Sequence, residues 1–442
     1  MLRCLMSTLL LAAPAVAQQG VDDAVPKLAK WFAALAAERG APPVVGGALS
    51  RAEAEAAVPA LWAAYRDACR EVGMDTLPPL LPNDLDRALE PSVLELGEHT
   101  MPYVLLVKGE KPAGGWPLYL CLHGGGGNGE AKGPHAWGVN DREWQAQQTL
   151  WRRLYPAPGI YFIPRMADDR LGRWWHDHNQ VAFERVIERA ILFRDVDPDR
   201  VYLMGISEGG YGAIRFAGNL PDRFAGCGGM AAAEPLNTSP PEDMRNVAMR
   251  IDIGENDTMF DRVGLARCMG ERLAELHAAD PGGYDFAVNV QAGRGHGIDY
   301  SLTPRWLSTK VRDPRPQRVL WTVRPFDHRV ALQRHWLALD AAPAAMPWFV
   351  TAALDGQRLT LTVERPAGGD AGREPVTTGI VRVRLDDRLL DLDQPVELVL
   401  NGGAARQLRV ERRLDVLART LAERSDPELA FCAELVVDLA AR

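Results

Sequence analysis

The most informative run of residues is Val201-Tyr202-Leu203-Met204-Gly205-Ile206-Ser207-Glu208-Gly209-Gly210. Its apolar first half predicts a buried strand, and the glycines around the serine predict an abrupt turn into a helix. Residues 205–209 fit the G-x-S-x-G pattern, in which that turn lifts the serine hydroxyl clear of the sheet. Glycines are needed on both sides because a Cβ there would collide with the neighbouring strand and helix. We therefore expect Ser207 to lie on a strained strand-to-helix turn.

Strand-like and helix-like segments alternate on both sides of this turn. Apolar strands are predicted at 103–107, 118–122, 160–163, 201–204, 224–230, 247–253 and 286–291, and helices at 141–154, 181–193, 209–219 and 264–279. This alternation predicts an α/β fold, in which helices cover both faces of a mostly parallel sheet. In such sheets the functional site lies beyond the carboxyl ends of the strands. We therefore look for functional side chains in the loops that follow strands.

Composition and the pattern of apolar residues divide the chain into four parts. Residues 1–17 have the form of a signal peptide, and the alanine-rich residues 18–91 predict an N-terminal region of amphipathic helices. Residues 92–314 form the α/β region. From 315 to 442 the chain consists mostly of short alternating segments separated by turn signals, with one helix predicted at 413–423. This last part is expected to be a mostly β, sandwich-like domain.

The beginning of the chain has the features of an export signal. Arg3 supplies a short basic start, residues 4–13 are almost wholly apolar, and Ala15-Val16-Ala17 fits a small-x-small cleavage pattern. No later run approaches the roughly 20 apolar residues of a membrane-spanning helix. We therefore expect a chain that is cut after Ala17, is not inserted in a membrane, and is located in the periplasm or outside the cell.

The net charge and the cysteine spacing argue against several classes of protein function. The formal net charge is −8, which argues against nucleic acid or an anionic membrane surface as partner. The six cysteines show no C-x-x-C spacing, so neither a zinc site nor a disulfide scaffold is indicated. Cys121 and Cys227 fall on apolar strands and are expected to be small core residues. The alternative that one disulfide bond forms after export is left open.

A serine hydroxyl is a poor nucleophile until a base removes its proton, so Ser207 needs a histidine. His296 lies in a glycine-flanked loop after the last predicted strand of the α/β region, which makes it the candidate base. Asp257 stands at the tip of the turn after the preceding strand and is the candidate acid that orients the imidazole. Glu255 and Asp261, close by in the sequence, are the alternatives to it.

A second glycine-rich loop, His123-Gly124-Gly125-Gly126-Gly127-Asn128, also follows a predicted strand. No Lys-Ser or Lys-Thr pair follows it, so it is not a phosphate-binding Walker loop. Consecutive glycines allow backbone N–H groups to turn toward a ligand. We expect an oxyanion hole formed by the N–H of Gly125 or Gly126 and the main-chain N–H of Glu208. His123 is expected to brace the loop by a hydrogen bond.

The glycine loop at 123–128, the pentapeptide at 205–209, Asp257 and His296 together resemble the α/β-hydrolase superfamily. More narrowly, the chain is similar to secreted esterases of the feruloyl esterase and polyhydroxybutyrate depolymerase type, with dienelactone hydrolases and prolyl-oligopeptidase catalytic domains as cousins. The resemblance covers roughly 92–314. It implies acyl transfer to water through a covalent ester of Ser207, with no metal and no cofactor.

The sequence gives fewer indications of the substrate. Trp174, Trp175 and His176 follow a predicted strand, and aromatic side chains over the site would suit a sugar ring or an aromatic acyl group. The alternative is that the tryptophans pack beneath the loop. His176 and His178 lack the further ligands that a metal site requires. The segment between the strands predicted at 224–230 and 247–253 leaves little room for a lid, which favours polymer-bound or bulky esters.

Three interpretations remain at this point. The first is an exported carboxylic-ester hydrolase whose partner is a small-molecule or polymer-bound ester substrate. The second is a serine peptidase of prolyl-oligopeptidase type, against which stands the lack of a propeller-length region ahead of residue 92. The third is a non-enzymatic binding protein that keeps the hydrolase scaffold. No oligomeric state is indicated.

Overall fold

The computed structural model describes residues 13–34, 40–80, 90–368 and 372–441. Most of the predicted signal peptide, residues 1–12, lies outside the described residues, and the first helix begins at Ala13. The export signal therefore stays a prediction. Within the described ranges, no helix has the length and apolar character that a membrane span requires.

An eight-stranded sheet forms the centre of the α/β region. In chain order its strands are β1 (Ser92–Leu96), β2 (His99–Lys108), β3 (Trp116–Leu122), β4 (Gly159–Pro164), β5 (Val196–Ile206), β6 (Gly226–Met230), β7 (Ala248–Gly254) and β8 (Phe286–Gln291). Across the sheet the order is β1-β2-β4-β3-β5-β6-β7-β8. The pairs β1–β2 and β2–β4 are antiparallel, and every other pair is parallel. The predicted α/β fold with a mostly parallel sheet is confirmed.

Helices cover both faces of this sheet. The α-helices of the described residues are α1 (Ala13–Phe32), α2 (Arg51–Glu71), α3 (Gly138–Arg153), α4 (Asp177–Phe193), α5 (Glu208–Asn219), α6 (Arg262–Ala279), α7 (Leu302–Leu307) and α8 (Leu414–Arg424). Successive strand residues point to opposite faces. In β3, Leu118 and Leu120 belong to the core shared with α4, α5 and α6, whereas Tyr119 and Cys121 belong to the core shared with α3 and α7.

One strand and one α-helix of the α/β region, β1 and α7, were not predicted from the sequence. Strand β1 is a short strand at the edge of the sheet. Its Val93 is exposed although it is apolar, so the apolar residues of β1 do not follow the alternation that predicts a buried face. Helix α7 has only six residues, too few for a helical period to be recognised. Cys121 and Cys227 are fully buried and unpaired, which confirms them as core residues.

The C-terminal region consists mainly of two sheets that share one core. Its strands are β9 (Arg318–Val323), β10 (Pro325–Phe326), β11 (Arg329–Val330), β12 (Gln333–Arg334), β13 (Leu337–Ala338), β14 (Trp348–Asp355), β15 (Arg358–Pro366), β16 (Arg373–Pro375), β17 (Ile380–Leu385), β18 (Val396–Leu400), β19 (Arg406–Leu408) and β20 (Ala433–Asp438). The first sheet has the order β19-β18-β15-β14-β9, with β16 beside β15, and the second has the order β12-β13-β17-β20. The expected mostly β domain is therefore present.

The N-terminal helices pack on this β-rich region and share its core. Phe32 of α1 and Tyr65 of α2 lie in one apolar cluster with Leu417 and Leu421 of α8. The hydroxyl of Tyr65 is 2.8 Å from that of Ser425, just beyond α8. The N-terminal helices and α8 lie more than 300 residues apart in the sequence but share one hydrophobic core, because each buries its apolar face against the other.

A two-stranded hairpin, β10–β11, joins the β-rich region to the α/β region. Phe326 lies edge-on to Phe216 of α5, with ring centroids 5.0 Å apart. At the tip of the hairpin, Asp327 Oδ2 accepts the N–H of Asp177 at 3.0 Å and thereby caps the start of α4. Because the loop before α4 borders the site described below, the β-rich region supports one side of that site.

Candidate active site

Ser207 lies at the turn between β5 and α5. Its φ of 52° and ψ of −113° are unusual for a residue with a side chain, so the backbone is strained there. Its N–H donates to the carbonyl of Met230 at 2.8 Å, which ties the turn to the end of β6. An added Cβ at Gly205 would lie 2.2 Å from Gly209 C, and one at Gly209 would lie 2.4 Å from Leu122 O. The flanking glycines are therefore required by the close approach of backbone to backbone.

Gly205→Ala is expected to lower the free energy of unfolding by about 3 kcal/mol or more, because the new methyl group meets a backbone that cannot move aside. Urea denaturation followed by circular dichroism measures this change. Gly295→Ala is the matched control, since an added Cβ there has no neighbour within 4 Å. Equal stability of the two variants would contradict the packing argument.

Asp257 and His296 meet at the carboxyl ends of β7 and β8. His296 Nδ1 donates to Asp257 Oδ2 at 2.7 Å. The other oxygen, Oδ1, accepts from Arg262 Nη1 at 3.0 Å. Asp257 is buried, whereas the side chain of His296 is 47% exposed. The carboxylate is thus fixed by two donors, and the imidazole remains accessible.

The two alternative acids have other partners. Glu255 Oε2 accepts the N–H of Gly293 at 2.8 Å. The carboxylate of Asp261 lies against Gly264 in the first turn of α6, where an added Cβ would be 2.3 Å from Asp261 Oδ1. Of the three acids in this turn, Asp257 is therefore the one that contacts His296 among the described residues.

Ser207 and His296 are not joined by a hydrogen bond in the described part of the chain, but a short series of contacts connects their surroundings. The N–H of Tyr211 donates to the carbonyl of Ser207 at 3.0 Å. The hydroxyl of Tyr211 accepts from Arg262 Nε at 2.7 Å. Arg262 Nη1 in turn contacts Asp257 and lies 3.5 Å from His296 Nδ1.

The glycine loop at 123–128 runs beside Ser207. An added Cβ at Gly124 would lie 3.5 Å from Ser207 Cβ. The N–H of Gly126 donates to Asn140 Oδ1 at 3.2 Å, and Asn140 Nδ2 donates to the carbonyl of Gly126 at 3.0 Å. The N–H of Gly125 has no hydrogen-bond partner among the described residues. Of the two glycines named from the sequence, Gly125 is thus the one whose N–H is unbonded in the described structure, and its part in an oxyanion hole stays a prediction.

The same loop is pressed against the segment before α4. An added Cβ at Gly172, where φ is 62°, would lie 1.9 Å from Gly127 Cα. One at Gly127 would lie 2.9 Å from Leu171 O. Backbone touches backbone along this wall, and neither glycine has room for a side chain.

His123 braces the glycine loop from within. It is fully buried, its Nε2 accepts the N–H of Met166 at 2.9 Å, and its Nδ1 contacts the carbonyl of Gly124 at 2.5 Å. Burial lowers the pKa of His123 to about 4, so the ring is neutral at pH 7 and Nδ1 carries the proton that Gly124 accepts. The expected bracing role is confirmed.

The aromatic segment before α4 divides into three environments. Trp174 is fully buried and donates from Nε1 to the carbonyl of His123 at 3.0 Å, so it packs beneath the loop, as the alternative interpretation expected. Trp175 lines the cavity beside Ser207. His176 Nδ1 lies 3.3 Å from Asp327 Oδ2 and faces the β10–β11 hairpin. Only Trp175 of the three borders the cavity.

The cavity beside Ser207 has a volume of about 540 Å³. Its lining includes five charged side chains, Arg173, Glu208, Arg215, Glu234 and Arg262. Of these five residues only Glu208 was named from the sequence, and only for its main-chain N–H. In the part of the chain that the structure describes, no cluster of histidine, cysteine, aspartate and glutamate side chains is suited to hold a metal ion.

Glu208 has an unusual proton affinity. Burial raises its pKa from 4.5 to about 7, because loss of solvation outweighs the attraction of Arg173 and Arg215. Between these two values the folded state binds more protons than the unfolded state, so this group makes stability fall as the pH rises.

Glu208→Gln is therefore expected to reduce the loss of stability between pH 5 and pH 7.5, as measured by urea denaturation at a series of pH values. Glu271→Gln, at an exposed position of α6, is the control and should keep the wild-type dependence. An unchanged dependence in the Glu208 variant would contradict the assignment.

The sheet order, the strand-turn-helix around Ser207 and the acid and histidine loops after β7 and β8 define the α/β-hydrolase fold. No family model matches the chain. A stretch of 132 residues is 37% identical to "Putative esterase NocK" of Nocardia uniformis subsp. tsuyamanensis. This match spans 30% of the chain and 36% of that relative's length.

Several solved structures are similar to parts of the chain. A thermostable esterase is 19% identical with a TM-score of 0.37, covering 51% of this chain and 63% of its own. LpqC, a poly(3-hydroxybutyrate) depolymerase from Bordetella parapertussis, is 14% identical with a TM-score of 0.35, covering 51% and 92%. A ferulic acid esterase is 14% identical with a TM-score of 0.33, covering 50% and 95%. Among these similarities, the sequence match of 132 residues is to part of a putative esterase.

Proposed function

We propose that the protein is a serine hydrolase of carboxylic esters, with Ser207 as nucleophile, His296 as general base and Asp257 as the acid that orients the imidazole. The observation that carries this proposal is the 2.7 Å contact between Asp257 and His296 at the same sheet edge as the Ser207 turn. The similarity to a putative esterase over 132 residues supports ester hydrolysis as the reaction.

In the proposed reaction, Ser207 Oγ attacks the ester carbonyl while His296 Nε2 takes its proton. The tetrahedral oxyanion accepts hydrogen bonds from the N–H groups of Gly125 and Glu208. Collapse of this intermediate breaks the bond to the alcohol, which leaves with the proton from His296. Water, deprotonated by His296, then cleaves the acyl-serine and restores the enzyme.

Asp257 contributes through His296 rather than through the substrate. Its carboxylate holds Nδ1–H of the imidazole, so Nε2 is directed away from the acid and can receive the proton. Arg262 holds the second oxygen and prevents rotation of the carboxylate. Hydrogen bonds of this kind often tighten when substrate binds, so the Ser207–His296 hydrogen bond is expected to form with the substrate in place.

The proposal extends to location and to the kind of substrate. Export by the signal peptide at 1–17 would bring the enzyme to the periplasm or outside the cell. Between β6 and β7 the structure contains only a short 3₁₀ turn, Pro241–Met244. Phe260, 73% exposed, borders the cavity from the turn before α6. A site that the described residues leave uncovered, with an exposed aromatic rim, suits bulky or polymer-bound esters.

The test is labelling of the purified full chain with a fluorophosphonate, followed by assays on p-nitrophenyl acetate and on a proline anilide. We expect covalent label on Ser207 and turnover of the ester but not of the anilide. Label on Ser207 with anilide turnover would instead indicate the peptidase. Absence of both label and turnover would overturn the enzymatic proposal and leave the binding protein. Feruloyl, acetyl-xylan and hydroxybutyrate esters then define the acyl group.

A further inference from the structure

Three guanidinium groups border the cavity beside Ser207. Arg173 comes from the loop before α4, Arg215 from α5 and Arg262 from the first turn of α6. Arginine is the side chain best shaped to bind planar oxyanions, because its N–H donors form a rigid fork.

Two buried glutamates hold the first two of these arginines. Arg215 donates from Nε to Glu234 at 2.6 Å and from Nη2 to the same carboxylate at 3.4 Å. Arg173 donates from Nη1 to Glu208 at 2.6 Å. Glu208 and Glu234 are 5% and 4% exposed, so each carboxylate is held against its arginine with little contact to solvent.

Trp175 fixes the orientation of Arg215 further. The guanidinium carbon lies 3.6 Å from the centre of the indole ring, so the two planar groups are in contact. Arg215 is nevertheless 24% exposed, and its Nη1 makes no hydrogen bond to the described residues. Arg215 therefore presents to the cavity a guanidinium group of fixed orientation, whose Nη1 is available to a ligand.

The charges of the lining do not cancel. Arg262 is neutralised by Asp257, outside the lining. Around Trp175, two arginines face two glutamates, but burial raises the pKa of Glu208 to about 7 and that of Glu234 above its ordinary value. Near neutral pH Glu208 is therefore partly protonated, and an excess of positive charge is left at Arg173 and Arg215.

We infer that the ester substrate carries a carboxylate on its acyl part, bound by Arg215 with Arg173 beside it. The inference rests on the proposed function and deepens it. A substrate with an apolar group at this place would bury guanidinium donors without acceptors, which disfavours its binding. A carboxylate supplies two acceptor oxygens and the missing negative charge.

The test compares two esters that differ only at the far end of the acyl chain, monoethyl adipate and ethyl hexanoate, by titration of the acid released. The wild-type chain should show kcat/KM about 10-fold or more higher for the adipate half-ester. Arg215→Gln should abolish this preference, and Arg215→Lys should retain part of it. Arg305→Gln, exposed on α7 and outside the cavity, is the matched control and should keep it.

Each outcome decides the inference. Equal rates, a preference for ethyl hexanoate, or a preference that survives in a folded Arg215→Gln chain would overturn it. If neither ester is cleaved, the proposed function has failed in this assay, and calorimetric binding of adipate and hexanoate to the wild-type chain takes its place. Binding of adipate alone would then support the anionic subsite, and no difference between the two would overturn it.

Discussion

Ser207→Ala is expected to lower kcat for p-nitrophenyl acetate by about 10⁴- to 10⁶-fold, because the oxygen proposed as the nucleophile is removed while the rest of the site stays in place. The residual rate should come from water that attacks an ester whose carbonyl oxygen is bound by the proposed oxyanion donors. The measurement is a comparison of purified wild-type and variant chains, with fluorophosphonate labelling of both.

The variant should remain folded, since the strained turn is held by the N–H of Ser207 and by the glycines around it, and none of these is changed. An unaltered circular dichroism spectrum and thermal midpoint check this. Ser308→Ala, exposed at the end of α7, is the matched control and should keep full activity and full labelling. Turnover of Ser207→Ala within about 10-fold of the wild type would exclude Ser207 as the nucleophile.

Asp257→Asn is expected to lower kcat by about 10³- to 10⁴-fold. The carboxylate accepts one hydrogen bond on each oxygen, from His296 Nδ1 at 2.7 Å and from Arg262 Nη1 at 3.0 Å. An amide has a single acceptor oxygen, so it cannot satisfy both donors. If the oxygen turns to Arg262, the NH₂ group faces His296 and favours the tautomer in which Nε2 carries the proton and cannot act as a base.

The matched control for this variant is Asp261→Asn, because Asp261 lies in the same turn and does not contact His296 in the described structure. Steady-state kinetics on p-nitrophenyl acetate should show a large loss for the first variant and near-normal turnover for the second. The reverse pattern would assign the orienting role to Asp261, and equal losses would indicate damage to the turn as a whole.

The turn around Ser207 could be predicted because its information is local. Five consecutive residues determine where the strand stops, and the absence of side chains at 205 and 209 follows from the close contact of two backbone segments. The alternation of strands and helices is likewise local, so the α/β class followed from the periodicity of apolar residues. Chain order then placed Asp257 and His296 in loops after β7 and β8, where the structure has them.

The charged lining of the cavity could not be predicted in the same way. Arg215 and Glu234 are 19 residues apart, and Arg173 and Glu208 are 35 apart. No helical or strand period connects such pairs, since their contact depends on how α5 and the neighbouring loops pack. Asn140 binds Gly126 but belongs to a helix that no sequence pattern connects with the glycine loop.

Two adjacent residues of the same type can also differ in burial, and the sequence pattern does not show which of them is buried. Trp174 is buried under the glycine loop, and Trp175 borders the cavity. Both follow the same strand, and only the packing of Trp174 against Phe183 and His123 decides which indole turns inward.

The backbone-to-backbone contact between Gly127 and Gly172 limits how the proposed active site could be redesigned. At these two positions any side chain meets main-chain atoms, so random mutagenesis there should yield mostly inactive clones. The cavity is also lined by the side chains of Arg173, Arg215, Phe260 and Leu265, where a substitution exchanges one side chain for another. A library aimed at a new acyl group should therefore vary those four positions and leave the glycines untouched.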